Sequence, residues 1–348
     1  MIQYYPWSDE VLKECLTAHD KGELATLDLE LTAKCSKASC IYCDSKPDVG
    51  VRHPNELNSR ETVRCLQEAR KLGLRWIYSC GLGEPLEDGR FRVLVQTAGR
   101  LDVRVSLFTN GILIDKDWAK WLHDNGVCVI LKMDTFSEPA FDTILGRKGA
   151  AQKVYKALDA LVSAGYGQHC EAGMTDIAFS IVPTRLNLDG IEDVVKAAKA
   201  KNIFPSIGEL ERAGRALQDT TYRELGLDSA QLKSLRKIVE KNLWKGYVRP
   251  ICPAIISGLH IDNVGNCLVD FDTGLNCKWF LLGEPMVQII GNVRSSSVEK
   301  LFKAARKYRQ SCFKRGTNGI ARSAATKYVF GGCGGNPCAV IRLAKAHL

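Results

Sequence analysis

Three cysteines, Cys35, Cys40 and Cys43, share one loop directly behind the strand-like run LATLDLELTA at residues 24–33. Their spacing, C-x4-C-x2-C, lets one short loop wrap a single inorganic group. A structural zinc ion takes four protein ligands. No histidine lies between residues 20 and 52 to complete such a set, and His53 is ten residues beyond Cys43. Three thiolates that leave one metal position open are what a 4Fe–4S cluster needs when its fourth iron must bind something from outside the protein. A zinc site completed by a remote cysteine or histidine is the alternative on this stretch alone.

Two further turns carry chemistry-bearing residues: GLGEP at 81–85 behind the apolar run RWIYSC, and FTNG at 108–111 closing VRVSLFTNG. A scaffold that gathers the ends of successive strands would bring all three together. Hydrophobic periodicity supplies one. The segment NSRETVRCLQEARKLG predicts a helix with Ser59 as N-cap and Gly73 just past its end. DKDWAKWLHDNG predicts a helix with Trp118, Trp121 and Leu122 on one face, and VCVILKMD reads as a strand buried on both faces. A helix over 149–165, the strand DIAFSIVPT, a helix marked by Ile191, Val194, Val195 and Ala198, and the strand FPSIGELE follow. Strand and helix thus alternate six times over about 210 residues, the rhythm of a parallel sheet with helices outside, either open or rolled into a partial or complete βα barrel. Ligands of such folds sit at the carboxyl ends of the strands, where the three thiols and both turns fall.

Composition narrows the class. The chain has 348 residues, 45% hydrophobic and 25% charged, ordinary values for a globular protein. Fourteen cysteines point to metal rather than to disulfides. No apolar run reaches membrane-spanning length, and the acidic start MIQYYPWSDEVLKEC is unlike a signal peptide, so the expectation is a cytoplasmic protein that engages no membrane. The net charge of +9 is scattered among acidic residues without a basic block, which argues against nucleic acid and suits docking of an acidic electron-transfer protein.

The constellation resembles the radical S-adenosylmethionine (SAM) superfamily, whose usual signature is C-x3-C-x2-C after the first strand of a partial βα barrel; the first gap here is one residue longer. Tyr42 before the last cysteine, GLGEP, FTNG and KMDTFSEPAFDTILGRKG each match family segments. The resemblance implies a partial (βα)6 TIM-like barrel. It also implies a cluster on Cys35, Cys40 and Cys43 whose open iron chelates SAM, and a flavodoxin or ferredoxin-type electron donor. Gly81 and Gly83 would bring backbone close to the SAM amino group and Glu84 would accept from it. Tyr42 would pack near the adenine, Lys132 and Arg147 would lie near the SAM carboxylate, and Asn110 and Ser180 would make weaker SAM contacts. For Glu84 a helix N-terminal carboxylate is the structural alternative, and for Arg147 a solvent-facing loop.

Past residue 215 the strand–helix rhythm stops. A polar helical segment at 228–242 leads to a cysteine-dense stretch, Cys252, Cys267, Cys277, Cys312, Cys333 and Cys338. CPAIISGLHIDNVGNC, IIGNVRSSSVEKLF and the terminal CGGNPC resemble the SPASM/twitch extension, which implies at least one auxiliary 4Fe–4S cluster. Cys252, Cys277, Cys333 and Cys338 are the favoured ligands, with Cys267 and Cys312 next. The place after Gly265 where the family pattern has a ligand cysteine holds Asp270. A zinc ribbon is the alternative for these six. The expected division is an N-terminal segment 1–22, a core 23–215, a helical linker 216–250 and an auxiliary module 251–348. Cys15, Cys65, Cys128 and Cys170 read as small hydrophobes or loop residues, and Cys80 as a strand-end residue beside the SAM turn.

About thirty-four residues precede Cys35, too few for a leader-recognition domain of the kind that peptide-modifying relatives carry. The expected substrate is therefore a small molecule, a sugar, cyclitol, aminoglycoside or nucleoside-like compound, dehydrogenated, dehydrated, epimerised or decarboxylated. Asp134, Glu209 and Glu211 at strand ends are the residues to grip it. A peptide-modifying maturase is the runner-up, and a non-catalytic Fe–S or zinc scaffold a remote third reading.

Overall fold

Six short strands carry the chain's apolar alternation into a parallel sheet: β1 (Thr26–Leu29), β2 (Trp76–Ser79), β3 (Arg104–Thr109), β4 (Cys128–Lys132), β5 (Ile177–Ile181) and β6 (Phe204–Ile207). Each pairs with its sequence neighbour, from β1 at one side to β6 at the other. The computed structural model describes residues 9–43, 51–79, 83–168, 175–208, 210, 214–217, 219–241, 257–269 and 288–314.

Successive side chains on a strand point to opposite faces, and the register sorts them. Leu27, Leu29, Ile77, Val105, Leu107, Val129, Leu131 and Phe179 join the main apolar core with the surrounding helices. The other face carries an in-register row, Asp28, Tyr78 and Ser106, buried although polar. This is the α/β architecture of a partial barrel, as expected, with helices outside and polar side chains inside.

The helices between strands are α2 (Ser59–Lys71), α3 (Arg90–Arg100), α4 (Lys116–Asp124), α5 (Glu138–Leu145), α6 (Ala150–Ala164) and α7 (Ile191–Ala200). Asn58, not Ser59, caps α2: its side chain accepts from the Arg60 and Glu61 amides, and Glu61 accepts the Asn58 amide at 2.8 Å. This capping box satisfies the helix's orphan donors reciprocally. The stretch after β4 is split by Gly146 in a left-handed conformation (φ 63°), which ends α5 before α6 begins.

An N-terminal helix, α1 (Asp9–Lys21), packs Val11, Leu12, Cys15, Leu16 and Ala18 against Ala25, Trp76 and Tyr78. It thereby covers the inner sheet face at the amino ends of the strands. Glu14 fastens it, accepting from Trp76 Nε1 at 3.3 Å and pairing with Arg104, whose guanidinium lies 4.0 Å from the Trp76 ring centre.

Beyond the core, α8 (Asp219–Leu225) and α9 (Ser229–Lys241) precede three more strands, β7 (Gly258–Ile261), β8 (Asn266–Val269) and β9 (Gln288–Asn292). β7 pairs parallel with β1, and β8 and β9 follow antiparallel, so the described part of the cysteine-dense region continues the sheet. α10 (Val298–Lys314) packs on α2, β8 and β9 through Leu301, Phe302 and Ala305. Among the described residues no helix is long and apolar enough to cross a membrane.

Candidate functional site

The loop bearing Cys35, Cys40 and Cys43 leaves the carboxyl end of β1 and is tied down along its length. At its base Glu56 accepts Thr32 Oγ1 and the Ala33 amide, each at 2.9 Å. Glu56 is held in turn by Arg52 at 2.8 Å and by buried Arg90 at 2.6 Å, and Arg90 also pairs with Asp88. Two carboxylates and two guanidiniums thus neutralise one another, which buried charges require. Further along, Glu87 takes the Ser36 and Lys37 amides, the end of α5 takes the Ser39 and Ile41 amides, and Arg215 reaches the Cys40 carbonyl at 2.8 Å. None of Glu56, Glu87 or Arg215 was anticipated. Glu87 sits two residues past the GLGEP turn and Arg215 on a short 3-10 helix behind β6, where only the fold brings them to the loop.

Gly83 lies directly on this loop. A Cβ there would stand 2.4 Å from the Lys34 carbonyl and 2.6 Å from that of Thr32, so only glycine permits the approach. Next to it the Glu84 amide donates to Lys34 O at 2.8 Å. The Glu84 carboxylate is 2% exposed and accepts from Leu86 N, Thr109 Oγ1 and Asn110 N at 3.2, 2.8 and 2.8 Å. It therefore does cap a short 3-10 helix, Pro85–Glu87, while joining the GLGEP turn to the FTNG turn. Burial pushes its carboxyl up to about 7 despite these three donors. Asn110 also points its amide at Cys35 Sγ, 3.8 Å away.

Behind the cysteines, Lys132, Tyr42 and Asp134 form one buried unit. Lys132 Nζ is 2.5 Å from Tyr42 Oη and 2.8 Å from Asp134 Oδ2, and Tyr42 Oη donates to the same oxygen at 2.8 Å. Burial alone lowers the lysine's affinity for its proton, but the adjacent Asp134 carboxylate outweighs it and drives the lysine above its ordinary range. Burial, reinforced by Asp134, likewise holds the Tyr42 phenol protonated. Asp134 Oδ1 accepts the Val182 amide at 2.8 Å, and the residue is fully buried. Both carboxylate oxygens of Asp134, one of the residues expected to grip a substrate, thus have partners within the protein. Ser180 lies opposite Lys132 on β5, at the same end of the sheet. Arg147 is exposed and donates to the Ser36 carbonyl at 3.0 Å, so it holds the cysteine loop rather than facing only solvent.

Gly81, Glu209, Glu211, Cys252, Cys277, Cys333 and Cys338 lie outside the described residues, as do Cys80 and Cys170. Cys312 falls on α10, and Cys267 on β8 is buried in the apolar core. Cys15, Cys65 and Cys128 are fully buried, as small apolar residues are.

Cys35, Cys40 and Cys43 are half-buried and lie in no disulfide. Burial first, with nearby Glu84 second, pushes the bare Cys35 thiol up to about 12; burial pushes Cys40 up to about 11 against the pull of Lys132. Without metal the Cys35 and Cys40 thiols keep their protons, and a metal that binds them must displace those protons. Among the described residues no three His, Cys, Asp or Glu side chains converge as a single metal ion demands. A cubane instead gives each thiolate its own iron, so an all-thiol set on one loop fits a cluster better than a lone zinc ion.

Residues 29–197 match the family described as the Radical SAM superfamily. Over that stretch, which includes Cys35, Cys40 and Cys43, the chain is similar to that superfamily. Members of that superfamily use a 4Fe–4S cluster and SAM. Among curated relatives, the mycofactocin maturase of Mycolicibacterium smegmatis is 30% identical over 190 residues, 54% of this chain and 45% of the relative. The PqqA peptide cyclase of Gluconobacter oxydans is 35% identical over 130 residues, 37% of this chain and 36% of the relative. The chain thus spans less than half the length of these two relatives. Streptococcus suis SuiB bound to S-adenosylmethionine superposes with a TM-score of 0.58 at 14% identity, covering 83% of this chain and 69% of that one, a likeness of fold.

These relatives overturn the expected sugar-, cyclitol-, aminoglycoside- or nucleoside-like substrate, and with it a small molecule as this chain's partner. The sequence relatives are a maturase and a peptide cyclase. The expectation rested on the shortness of the chain before Cys35. That length bears on how a leader is recruited, which a second chain can do, and not on what the barrel mouth admits.

Proposed function

We propose that this chain is a radical SAM maturase that modifies a peptide or protein. The observation that carries the reading is the 35% identity to a PqqA peptide cyclase, seconded by the maturase similarity across the core. In this reading Cys35, Cys40 and Cys43 hold the 4Fe–4S cluster. When bound, the cluster and SAM supply reductive cleavage of the sulfonium and hence hydrogen-atom abstraction from the substrate.

The protein's own residues bind and orient. Gly81 and Gly83 let backbone approach the SAM amino group, and Glu84 accepts from it through the lone-pair capacity left beyond its three present donors. Asn110 and Ser180 flank the same space, and Tyr42 closes its floor. Lys132 and Arg147 bring positive charge to the SAM carboxylate's side of the loop, though both also serve intramolecular contacts. Glu209 and Glu211, behind β6, are the remaining residues for gripping the peptide.

The auxiliary module, 251–348, would hold at least one further 4Fe–4S cluster on Cys252, Cys277, Cys333 and Cys338. Core burial of Cys267 favours this set over one that includes it, and Cys312 stays in reserve. The core would run from 23 to 215. An oxygen-sensitive cluster and a cysteine-rich chain both suit a reducing, cytoplasmic setting.

Anaerobically reconstituted protein should form 5′-deoxyadenosine from SAM with dithionite, and Cys35→Ala, Cys40→Ala or Cys43→Ala should abolish it. Co-expression with candidate precursor peptides should give a peptide mass shift by mass spectrometry. A triple-alanine variant that still forms 5′-deoxyadenosine would refute the cluster assignment. A modified small molecule with no altered peptide would refute the maturase reading.

A further inference from the structure

The gap between Cys35 and Cys40 is Ser36-Lys37-Ala38-Ser39, one residue longer than the superfamily's usual three, and Ser36, Lys37 and Ser39 are exposed. An exposed four-residue gap without proline or glycine would ordinarily leave its backbone to water and sample many conformers, which costs conformational entropy to fix. This one is held from both sides. On one side Glu87 Oε1 accepts Ser36 N at 2.7 Å and Lys37 N at 3.2 Å, while Oε2 accepts Ser36 Oγ at 2.7 Å. On the other, Arg147 Nη1 donates to Ser36 O at 3.0 Å, and Arg215 Nη1 donates to Ser39 Oγ and Cys40 O, both at 2.8 Å. The Arg215 amide adds a bond to Cys43 O at 2.9 Å, and Ser39 N donates to Leu145 O at 2.8 Å. Gly146 seals the fit: its φ is +63°, and a Cβ there would lie 2.1 Å from the Ser39 carbonyl.

We propose that Glu87, Arg147 and Arg215 are positioning residues, a clamp that fits the lengthened C-x4-C gap to the cluster. The proposal rests on the cluster reading given above. Its logic is preorganisation. A longer gap has more ways to splay Cys35 from Cys40, and each clamp bond removes some of them before metal arrives. The partners come from three separate places in the chain: the turn after β2, the break after α5 and the 3-10 helix Gly214–Leu217 behind β6. The loop's geometry is thus set by the assembled barrel and not by its own sequence. Glu87 shares one short helix with the Glu84 cap, so the glycine turn and the cysteine loop move as one piece. Arg147, expected at SAM, is a member of the clamp through its Ser36 contact.

The test compares anaerobically reconstituted full-length wild type with Glu87→Ala, Glu87→Gln, Arg215→Ala and the milder Ser36→Ala and Ser39→Ala. Two properties are read: iron loss to a ferrous chelator, and the electron paramagnetic resonance spectrum of the reduced cluster with and without SAM. Outer-shell partners of metal ligands are worth about 10–100-fold in metal affinity, and Glu87→Ala and Arg215→Ala should release iron faster by about that factor. Their SAM-perturbed resonance should broaden or shift. Ser36→Ala and Ser39→Ala, which leave every charge in place, should move both readouts the same way by less. Gln is a neutral shape mimic, its carbonyl accepting the two amides and its amide donating to Ser36 Oγ, so Glu87→Gln should restore both. Wild-type iron retention and resonance in Glu87→Ala and Arg215→Ala would overturn the clamp while leaving the cluster reading intact. A Glu87→Gln variant as defective as Glu87→Ala would overturn it too, by showing a charge effect and not a geometric one. A wild type that takes up no iron at all would instead sink the cluster reading, and the clamp with it.

Discussion

The ammonium of Lys132 lies 2.8 Å from the carboxylate of Asp134, which is completely shielded from solvent. Tyr42, which stands between Cys40 and Cys43, binds both partners through its hydroxyl. The ion pair is therefore the floor on which the second half of the cysteine loop rests. A charge so placed is costly to leave alone.

Replacing Lys132 by methionine strands the Asp134 carboxylate and should destabilise the apoprotein by about 3–5 kcal/mol in urea denaturation. The double variant Lys132→Met with Asp134→Asn should recover most of that, because the amide carbonyl still accepts from Val182 without carrying charge. Equal loss in the single and double variants would show that packing, not the unpaired charge, sets the cost.

Glu84 predicts a pH dependence of the opposite sign from an ordinary surface carboxylate. Burial raises its folded value to about 7 from an ordinary 4.5. Between those two pH values the folded apoprotein binds more protons than the unfolded chain, so stability falls as pH rises through that window. The effect is on the order of 3 kcal/mol. Glu84→Gln should flatten that slope in apoprotein melts from pH 4.5 to 8. In reconstituted protein the same variant should weaken SAM binding, since a neutral amide cannot pair with the SAM ammonium. An unchanged melting profile would mean that solvent reaches the carboxylate.

The sheet and the three thiols were legible because they are local: alternating apolar runs fix strands, and C-x4-C-x2-C is a contiguous pattern. The Asn58 cap was missed for Ser59 because both residues are good caps and only backbone geometry chooses. α3 escaped notice because RFRVLVQTAGR is short, with charged ends and a glycine in its last turn, though Leu94, Val95 and Ala98 pack inward. Asp134 read as a substrate ligand because its position at a strand end is visible in sequence and its pairing with Lys132 two residues earlier is not. Glu87 and Arg215 make contacts 50 or more residues away in sequence, and no local signal marks such residues.

α1 is expected to matter more than an N-terminal segment usually does. Leu12 is buried against the inner sheet face beside Trp76 and Tyr78. Leu12→Ala should cost about 2–5 kcal/mol by opening a cavity there, and should shift the protein's tryptophan emission to the red as water reaches Trp76. A surface-like cost below about 0.5 kcal/mol would show that α1 does not seal the barrel's amino end.

Glu56 supplies the last expectation, and its sign runs against that of Glu84. Burial would raise its carboxyl, but hydrogen bonds from the Ala33 amide, Arg52, Thr32 and Arg90 win and hold it down at about 2, below the ordinary 4.5. A carboxylate depressed in the folded state contributes stability that is complete above the unfolded value and is lost as pH falls toward the folded one. The relevant window is therefore from about pH 4.5 down to about 2, and the contribution at neutral pH is on the order of 3 kcal/mol, because a pKa unit is about 1.4 kcal/mol. Since the same carboxylate binds Thr32 and Ala33, acid should loosen the base of the cysteine loop as it neutralises Glu56. Glu56→Gln should lose stability already at pH 7, leave Arg90 short of a counter-charge, and show a shallower further decline between pH 4.5 and 2. Denaturant unfolding of wild type and variant across that range decides it: parallel acid profiles would place the stabilisation elsewhere in the Arg52, Asp88 and Arg90 cluster.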